Sequence, residues 1–260
     1  MDLTLKDKVF LITGGAQGIG AAIARACGNE GGLPVIFDRD TGAIAKLRSE
    51  LDQSGISSEF IVGDLTDSAA TSHAIKLVGE KLGRIDGLVN NAGTNDGVGL
   101  ENGTPERFRL SLERNLIHYY AVAQAALPFL KKVQGSIVNI ASKVAVTGQG
   151  GTSGYAASKG AVLALTREWA VELLSYGIRV NCVVPAEVMT PQYAEWLKKF
   201  ADPEEQLSKI IAKVPLGHRM TNADEIAAMV TFLLSEKASA VTGQHLFVDG
   251  GYVHLDRALT

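Results

Sequence analysis

The sequence predicts an α/β fold: a doubly wound parallel sheet of about seven strands with helices on both faces. Three observations carry that expectation. Short β-branched runs alternate along the chain with longer stretches of helical periodicity. The short runs are nearly continuous in apolar character, as strands covered on both faces must be. A glycine-rich turn separates the first run from the first helical stretch. Such alternation argues for parallel strands joined by crossover helices.

Element by element, the first strand is KVFLI (Lys8 to Ile12), and the glycine turn opens a helix over Gly18 to Glu30. The second is LPVIF (Leu33 to Phe37), where Pro34 is tolerable only near the strand start. A helix over Thr41 to Gln53 leads to EFIV (Glu59 to Val62), and one over Ser68 to Leu82 leads to GLVN (Gly87 to Asn90). A single long helix is expected from Pro105 to Lys132, before SIVNI (Ser136 to Ile140). The helix Tyr155 to Leu174 then precedes RVNCVV (Arg179 to Val184). Pro185 to Val214 breaks the rhythm with two short helical patterns, which read as a lid over a ligand. A helix over Asn222 to Leu234 and the strand HLFVD (His245 to Asp249) complete the set. With no linker, repeat or low-complexity segment, one domain is expected over 1–260, its small lid within 186–214.

Composition narrows the function classes. The 260 residues are 46% hydrophobic and carry a formal net charge of −3. No stretch approaches the ~18–20 uninterrupted apolar residues of a membrane helix, and MDLTLKDKVF lacks a signal-peptide pattern. Cys27 and Cys182 lie far apart inside apolar segments, as buried thiols of a reducing, cytoplasmic compartment do. No histidine pair has zinc-ligand spacing, so no metal is expected. The chain has no Lys/Arg run to suggest nucleic acid.

In an open parallel sheet, ligands bind beyond the carboxyl ends of the strands at the switch point. The turn TGGAQGIG (Thr13 to Gly20) has glycines at Gly14, Gly18 and Gly20, with Gln17 and Ile19 between them. Glycines there let the backbone approach a pyrophosphate, and the helix N-terminus offers unpaired N–H groups and a positive dipole end. Asp38 ends the second strand eighteen positions after Gly20, near the ~20-residue offset of a ribose-binding carboxylate. Such a carboxylate repels a 2′-phosphate, so NAD is expected over NADP. The neighbouring Arg39 is the one feature that could welcome the phosphate. Asp64, followed by Leu65, could accept from an adenine amino group. Asn91, Ala92 and Gly93 of NNAG suit close backbone approach to a cofactor, or the stitching of strand ends, or both.

Tyr155 and Lys159 lie four positions apart, on one face of a helix. An isolated pair of this kind is a solvated surface pair. Here Ser142 ends the fifth strand and Asn115 lies in the long helix before it. A free tyrosine, with a pKa near ~10, is a poor base at neutral pH. An ammonium about 4.5 Å away at an effective dielectric of ~20 is worth roughly 3–4 kcal/mol, enough to bring the phenol toward neutrality.

Taken together, TGGAQGIG, NNAG, Asn115, the Ser142–Tyr155–Lys159 set and PAEVMT (Pro185 to Thr190) resemble the short-chain dehydrogenase/reductase family, from Lys6 to Tyr252. The resemblance implies a Rossmann-like domain, hydride transfer at a nicotinamide and usually a homotetramer. It also implies that Lys159 holds the nicotinamide ribose, that Ser142 bonds the reacting oxygen, and that Asn115 holds a relay water. Thr190 and the backbone of Val188 would hold the carboxamide, with Pro185 also at the cofactor. Ala186 stands where the family usually has glycine, which implies a small shift at the lid entrance.

The loops after the fourth, fifth and sixth strands, where specificity resides, are polar. They offer Asn95, Lys143, Gln149 and Glu187, with Tyr193 and Trp196 in the lid. A sugar wants such donors and acceptors with an aromatic face. SLERNLIHYY, VTGQGGTSGYAASKGA, PAEVMTPQY and FVDGGYVHLDRAL look like the runs of bacterial L-fucose dehydrogenases within the family. That implies oxidation of an anomeric hydroxyl to a lactone. One alternative is a 3-oxoacyl-carrier-protein reductase or other short-chain carbonyl reductase; another is a non-catalytic nucleotide-binding scaffold, which would lack Tyr155 or Lys159. Ile117, His118, Tyr119 and Tyr120 are expected to form a broad exposed apolar surface for a subunit interface.

Overall fold

The computed structural model describes residues 2–256; Met1 and residues 257–260, including the last three of FVDGGYVHLDRAL, lie outside the described residues. The strands are β1 (Val9–Thr13), β2 (Leu33–Asp38), β3 (Glu59–Val62), β4 (Gly87–Asn90), β5 (Ser136–Ile140), β6 (Arg179–Pro185) and β7 (His245–Val248). They form one parallel sheet in the order β3-β2-β1-β4-β5-β6-β7. The order reverses between β1 and β4, which sets the crevice at their carboxyl ends.

The alternation of side chains along each strand divides the core into two layers. Phe10, Ile12, Val89, Val138 and Val183 pack on one face, with α1 (Gly18–Asn29), α2 (Thr41–Gln53) and α9 (Ala223–Leu234). Leu11, Leu88, Ile137, Cys182 and Val184 pack on the other, with α3 (Ser68–Leu82), α5 (His118–Val133) and α6 (Ser153–Glu172). Period-2 residues alternate faces, so continuous apolar runs are what a sheet covered on both sides requires. Pro34 fits for a geometric reason. Leu33 N donates to Lys8 O on the β1 side, so the position of Pro34 faces β3, where pairing starts only at Val35 opposite Glu59.

The expected single helix from Pro105 to Lys132 is not one α-helix. α4 (Pro105–Leu112) runs into a π turn at Glu113–Ile117 before α5 begins. A π turn carries one extra residue, which rotates everything after it. His118 and Tyr119 are therefore buried, 2% and 0% exposed, and only Ile117 and Tyr120 of the expected surface patch stand out. Both patterns of the 186–214 stretch are helices, α7 (Pro191–Leu197) and α8 (Pro203–Ile211).

Candidate active site

At the nucleotide end the glycines are sterically required. Gly14 has φ +58°, and a Cβ there would stand 2.9 Å from Ala92 Cα. A Cβ at Gly20 would stand 2.2 Å from Gly14 O. Gln17, at the N-cap of α1, is exposed and makes no side-chain cap. The N–H groups that open α1 thus keep their capacity for an anion. Asn91 clamps the turn, donating from Nδ2 to Thr13 O at 3.0 Å and Gly14 O at 2.9 Å, while Thr13 Oγ1 accepts Asn91 N and Ala92 N. A cradle too tight for any Cβ, ending in an uncapped helix, fits a dinucleotide pyrophosphate.

Asp38 does two jobs. Its Oδ2 accepts Ala16 N at 3.0 Å, which ties the glycine turn to β2, and its Oδ1 accepts Arg39 N and Asp40 N. Loop capping is thus real, and one lone pair, on Oδ2, remains for a hydroxyl. Arg39 leans 3.8 Å from Asp64. Asp64 Oδ1 accepts Thr66 N and Oγ1, and these bonds hold its carboxyl below the usual range. Ile19 and Leu65 pack partly buried into the two core layers. Across the crevice, Gly18 approaches Thr190, whose Cγ2 would lie 3.3 Å from a Cβ at Gly18. Thr190 Oγ1 caps α7 by accepting Tyr193 N. Pro185 closes β6 opposite Val248, and Val188 bridges to Thr221.

At the chemical end, Tyr155 stands half-buried in the first turn of α6, hydrogen-bonded to Ser142. Lys159, one turn on, is 2% exposed. Its Nζ donates to Tyr119 OH at 2.9 Å and Ile140 O at 2.8 Å, and sits 5.7 Å from the Tyr155 ring centroid. The expected lowering of Tyr155 is therefore absent in this arrangement. Burial pushes its phenol up to about 12, with the Ser142 bond opposing. Burial also pulls Lys159 down to about 8. Lys159 spends two of its three donors on Tyr119 and Ile140, neither of them on the phenol.

Asn115 lies in the π turn with its side chain tied at both ends. Oδ1 accepts Thr94 N at 2.7 Å and Nδ2 donates to Ser111 O at 2.9 Å. A Cβ on Gly93 would meet Asn115 Oδ1 at 2.9 Å and Lys159 Nζ at 3.4 Å. Asn115, Gly93 and Lys159 thus converge, and the Asn115 amide keeps one hydrogen and one oxygen lone pair beyond its bonds to Ser111 and Thr94.

Lys143 and Glu187, expected separately on the substrate loops, form a buried ion pair with each other. Glu187 Oε2 accepts Tyr193 OH at 2.8 Å, and the Tyr252 ring lies over Lys143 Nζ at 4.1 Å. Trp196 packs edge-on against Tyr193. Gln192 of α7 donates to Thr94 Oγ1, so the lid helix touches the loops after both β4 and β6. Asn95 and Gln149 stand exposed. Sequence reasoning missed Thr13, Tyr119 and Tyr252 as site residues. Thr13 was findable from its place at the end of β1; Tyr119 was hidden by the π turn, and Tyr252 carries no local pattern.

Comparison with known proteins agrees with this architecture. A family model described as enoyl-(acyl carrier protein) reductase matches residues 14–253. L-fucose dehydrogenase of Rattus norvegicus is 38% identical over 245 residues, covering 94% of this chain and 88% of that one. A 3-oxoacyl-(acyl-carrier-protein) reductase of Thermotoga maritima is 35% identical over 252 residues, covering 96% of this chain and 100% of that one. The crystal structure of Cj0485 dehydrogenase superposes with a TM-score of 0.94 at 48% identity, covering 100% of this chain and 99% of that one. Match and fold agree along the whole described chain: it belongs to the short-chain dehydrogenase/reductase family of NAD(P)-dependent oxidoreductases.

Proposed function

We propose that this enzyme uses NAD to oxidise the anomeric hydroxyl of L-fucose or a related aldose to the lactone. The observation that carries the reading is the polar wall next to Ser142, built from Lys143, Glu187 and Tyr193 with Trp196 behind it. Apolar walls would suit a steroid or a long acyl chain; this wall offers donors, acceptors and an aromatic edge. Similarity to an L-fucose dehydrogenase supports the sugar.

A bound nicotinamide supplies the hydride acceptor. Ser142 and Tyr155, already hydrogen-bonded to each other, hold the substrate hydroxyl, and Tyr155 takes its proton. Lys159 has three donors and uses two on Tyr119 and Ile140, leaving one for a ribose hydroxyl. Asn115 pins the loop after β4 and, with one amide hydrogen and one lone pair to spare, holds the water that relays protons from Lys159 to solvent. Val188 and Thr190 hold the carboxamide.

NAD is the preferred cofactor. The carboxylate of Asp38 at the end of β2 supports this, since it would accept from ribose hydroxyls and repel a 2′-phosphate, and Arg39 stands 3.8 Å from Asp64. The reaction belongs to the cytoplasm, on the strength of two free, buried cysteines. NADH appearance across an aldose panel at mildly alkaline pH tests the substrate. Sharp stereochemical preference is expected, because a site built to bond a hydroxyl rejects analogues lacking it by up to ~10⁴-fold. An inert panel beside brisk turnover of a β-ketoacyl thioester would overturn the sugar in favour of the reductase to which the chain is also similar. In the same assay kcat/KM for NAD should exceed that for NADP, and Asp38→Ala should narrow the gap; a wild-type preference for NADP rejects the cofactor reading.

A further inference from the structure

We infer that the Lys143–Glu187 pair is a charge filter, which admits neutral polyhydroxy substrates and rejects ionised ones. The inference rests on the proposed reading only in taking this wall to border the substrate. The pair is built into the fold. The side chains of Lys143 and Glu187 are 10% and 11% exposed. Lys143 is fixed by its carbonyl, which accepts Thr147 N at 2.9 Å and Thr147 Oγ1 at 3.1 Å. Glu187 is fixed by its carbonyl, which accepts Thr221 N at 2.9 Å. Tyr193 fills the second carboxylate oxygen, and the Tyr252 ring covers the ammonium.

The position of the pair gives it a role. Lys143 directly follows Ser142, whose hydroxyl is bonded to Tyr155. The backbone that carries the ammonium of the pair is therefore continuous with that of Ser142. A buried ion pair is weak in stability terms, since desolvation offsets most of the attraction. What it provides here is a wall of zero net charge that still carries strong donors and acceptors. A neutral sugar hydroxyl can lie against the small exposed edge of the pair, or against the Tyr193 hydroxyl bonded to it, without disturbing the balance. An ionised ligand cannot: an anion meets Glu187 and a cation meets Lys143, and like charges across a desolvated contact are strongly unfavourable. Neutralising one partner leaves the other uncompensated, and a ligand of opposite charge then becomes the best compensator.

The test uses full-length protein saturated with NAD. Wild type, Glu187→Gln, Lys143→Met and the double variant are titrated with neutral aldoses, uronates and protonated amino sugars, and binding is read from tryptophan fluorescence. Glu187→Gln should shift the ratio of uronate to neutral-sugar affinity toward uronates by about tenfold or more, ~1.4 kcal/mol. Lys143→Met should shift the corresponding ratio toward amino sugars, and the double variant should show neither shift. A merely structural pair would lower all affinities together. Single variants that keep the wild-type ratios overturn the inference. If Glu187→Gln fails to fold, Lys143→Met decides alone, and failure of both to fold assigns the pair to structure and overturns the filter. Wild-type turnover of aldoses, followed by NADH absorbance, judges the sugar separately. Should no aldose react, the same ratios measured with neutral diols and hydroxy acids still judge the filter.

Discussion

Tyr155 and Lys159 show why identity and conformation must be separated at the scale of residues. Their four-residue spacing was legible in the sequence; their distance was not, because Lys159 reaches for Tyr119 and Ile140 rather than for the phenol. Only a Lys159 that lets go of Tyr119 and turns to the phenol, about 4.5 Å away at an effective dielectric of ~20, stabilises a phenolate by roughly 3–4 kcal/mol. Lys159 loses its own charge near pH 8, so this help operates mainly below that value. Two variants separate the roles of the phenol and the ammonium. Tyr155→Phe keeps the ring and the fold, binds NADH as wild type does in a fluorescence titration, and turns over less than ~1% as fast, since loss of a general base costs typically 10²–10⁴-fold. More than a few per cent of wild-type kcat would remove Tyr155 from the proton transfer. Lys159→Met leaves a residual rate whose rise with pH is displaced upward, because the ammonium that would stabilise the phenolate is gone. A pH profile that coincides with that of wild type would refute the electrostatic link. The Lys143–Glu187 contact was illegible for a different reason: it joins residues 44 positions apart, and no local pattern records such a pair.

Among elements, the sheet and most helices were legible because their patterns are strictly local. Glu59–Val62, Gly87–Asn90, Ser136–Ile140, Thr41–Gln53 and Ser68–Leu82 have the expected bounds. The π turn at Glu113–Ile117 was not, since one inserted residue leaves composition unchanged and alters only the rotation of the helix beyond it. Its consequence is measurable at His118. That side chain, rotated inward, bonds Arg114 O at 3.0 Å through Nε2, and its Nδ1 has no partner. Burial draws its pKa down to about 4, with the nearby Lys159 charge adding to the shift and the Arg114 bond opposing it. The unfolded chain, titrating near 6.5, therefore binds more protons between pH 6.5 and 4. Stability rises with pH across that window and is lost on acidification, by roughly 3 kcal/mol in total. Thermal unfolding followed from pH 7 to 5 should show this slope, and His118→Gln should flatten it. Equal slopes in the two proteins would mean that His118 titrates normally and that the inward rotation does not desolvate it.

For the whole molecule, the same rotation that turns Tyr119 toward Lys159 turns Ile117 and Tyr120 outward, 41% and 54% exposed. Together with Leu116, Ala161, Ala164 and Leu165 they line a largely apolar groove between α5 and α6, with Glu168 as its one charged residue. The groove is narrower than the patch the sequence suggested, but it lies on the outer side of the two helices that carry Tyr119, Tyr155 and Lys159. We propose that a second copy packs here about a two-fold axis, each groove facing its counterpart. A stable contact of this kind buries about 800 Å² on each partner. One such face closes a dimer, and the homotetramer that family resemblance implies needs a second face elsewhere. Light scattering should then give a mass near four times 27.5 kDa. A wild-type monomer at micromolar concentration rejects assembly altogether, and a dimer limits it to this groove. Ile117→Asp places a charge in the apolar contact and should halve the assembly. Because α5 and α6 carry the catalytic side chains on their inner faces, kcat should fall with the mass, while the NAD affinity set by the distant glycine turn changes little. Full activity in a dissociated Ile117→Asp variant would show that each copy holds its tyrosine and lysine in place unaided.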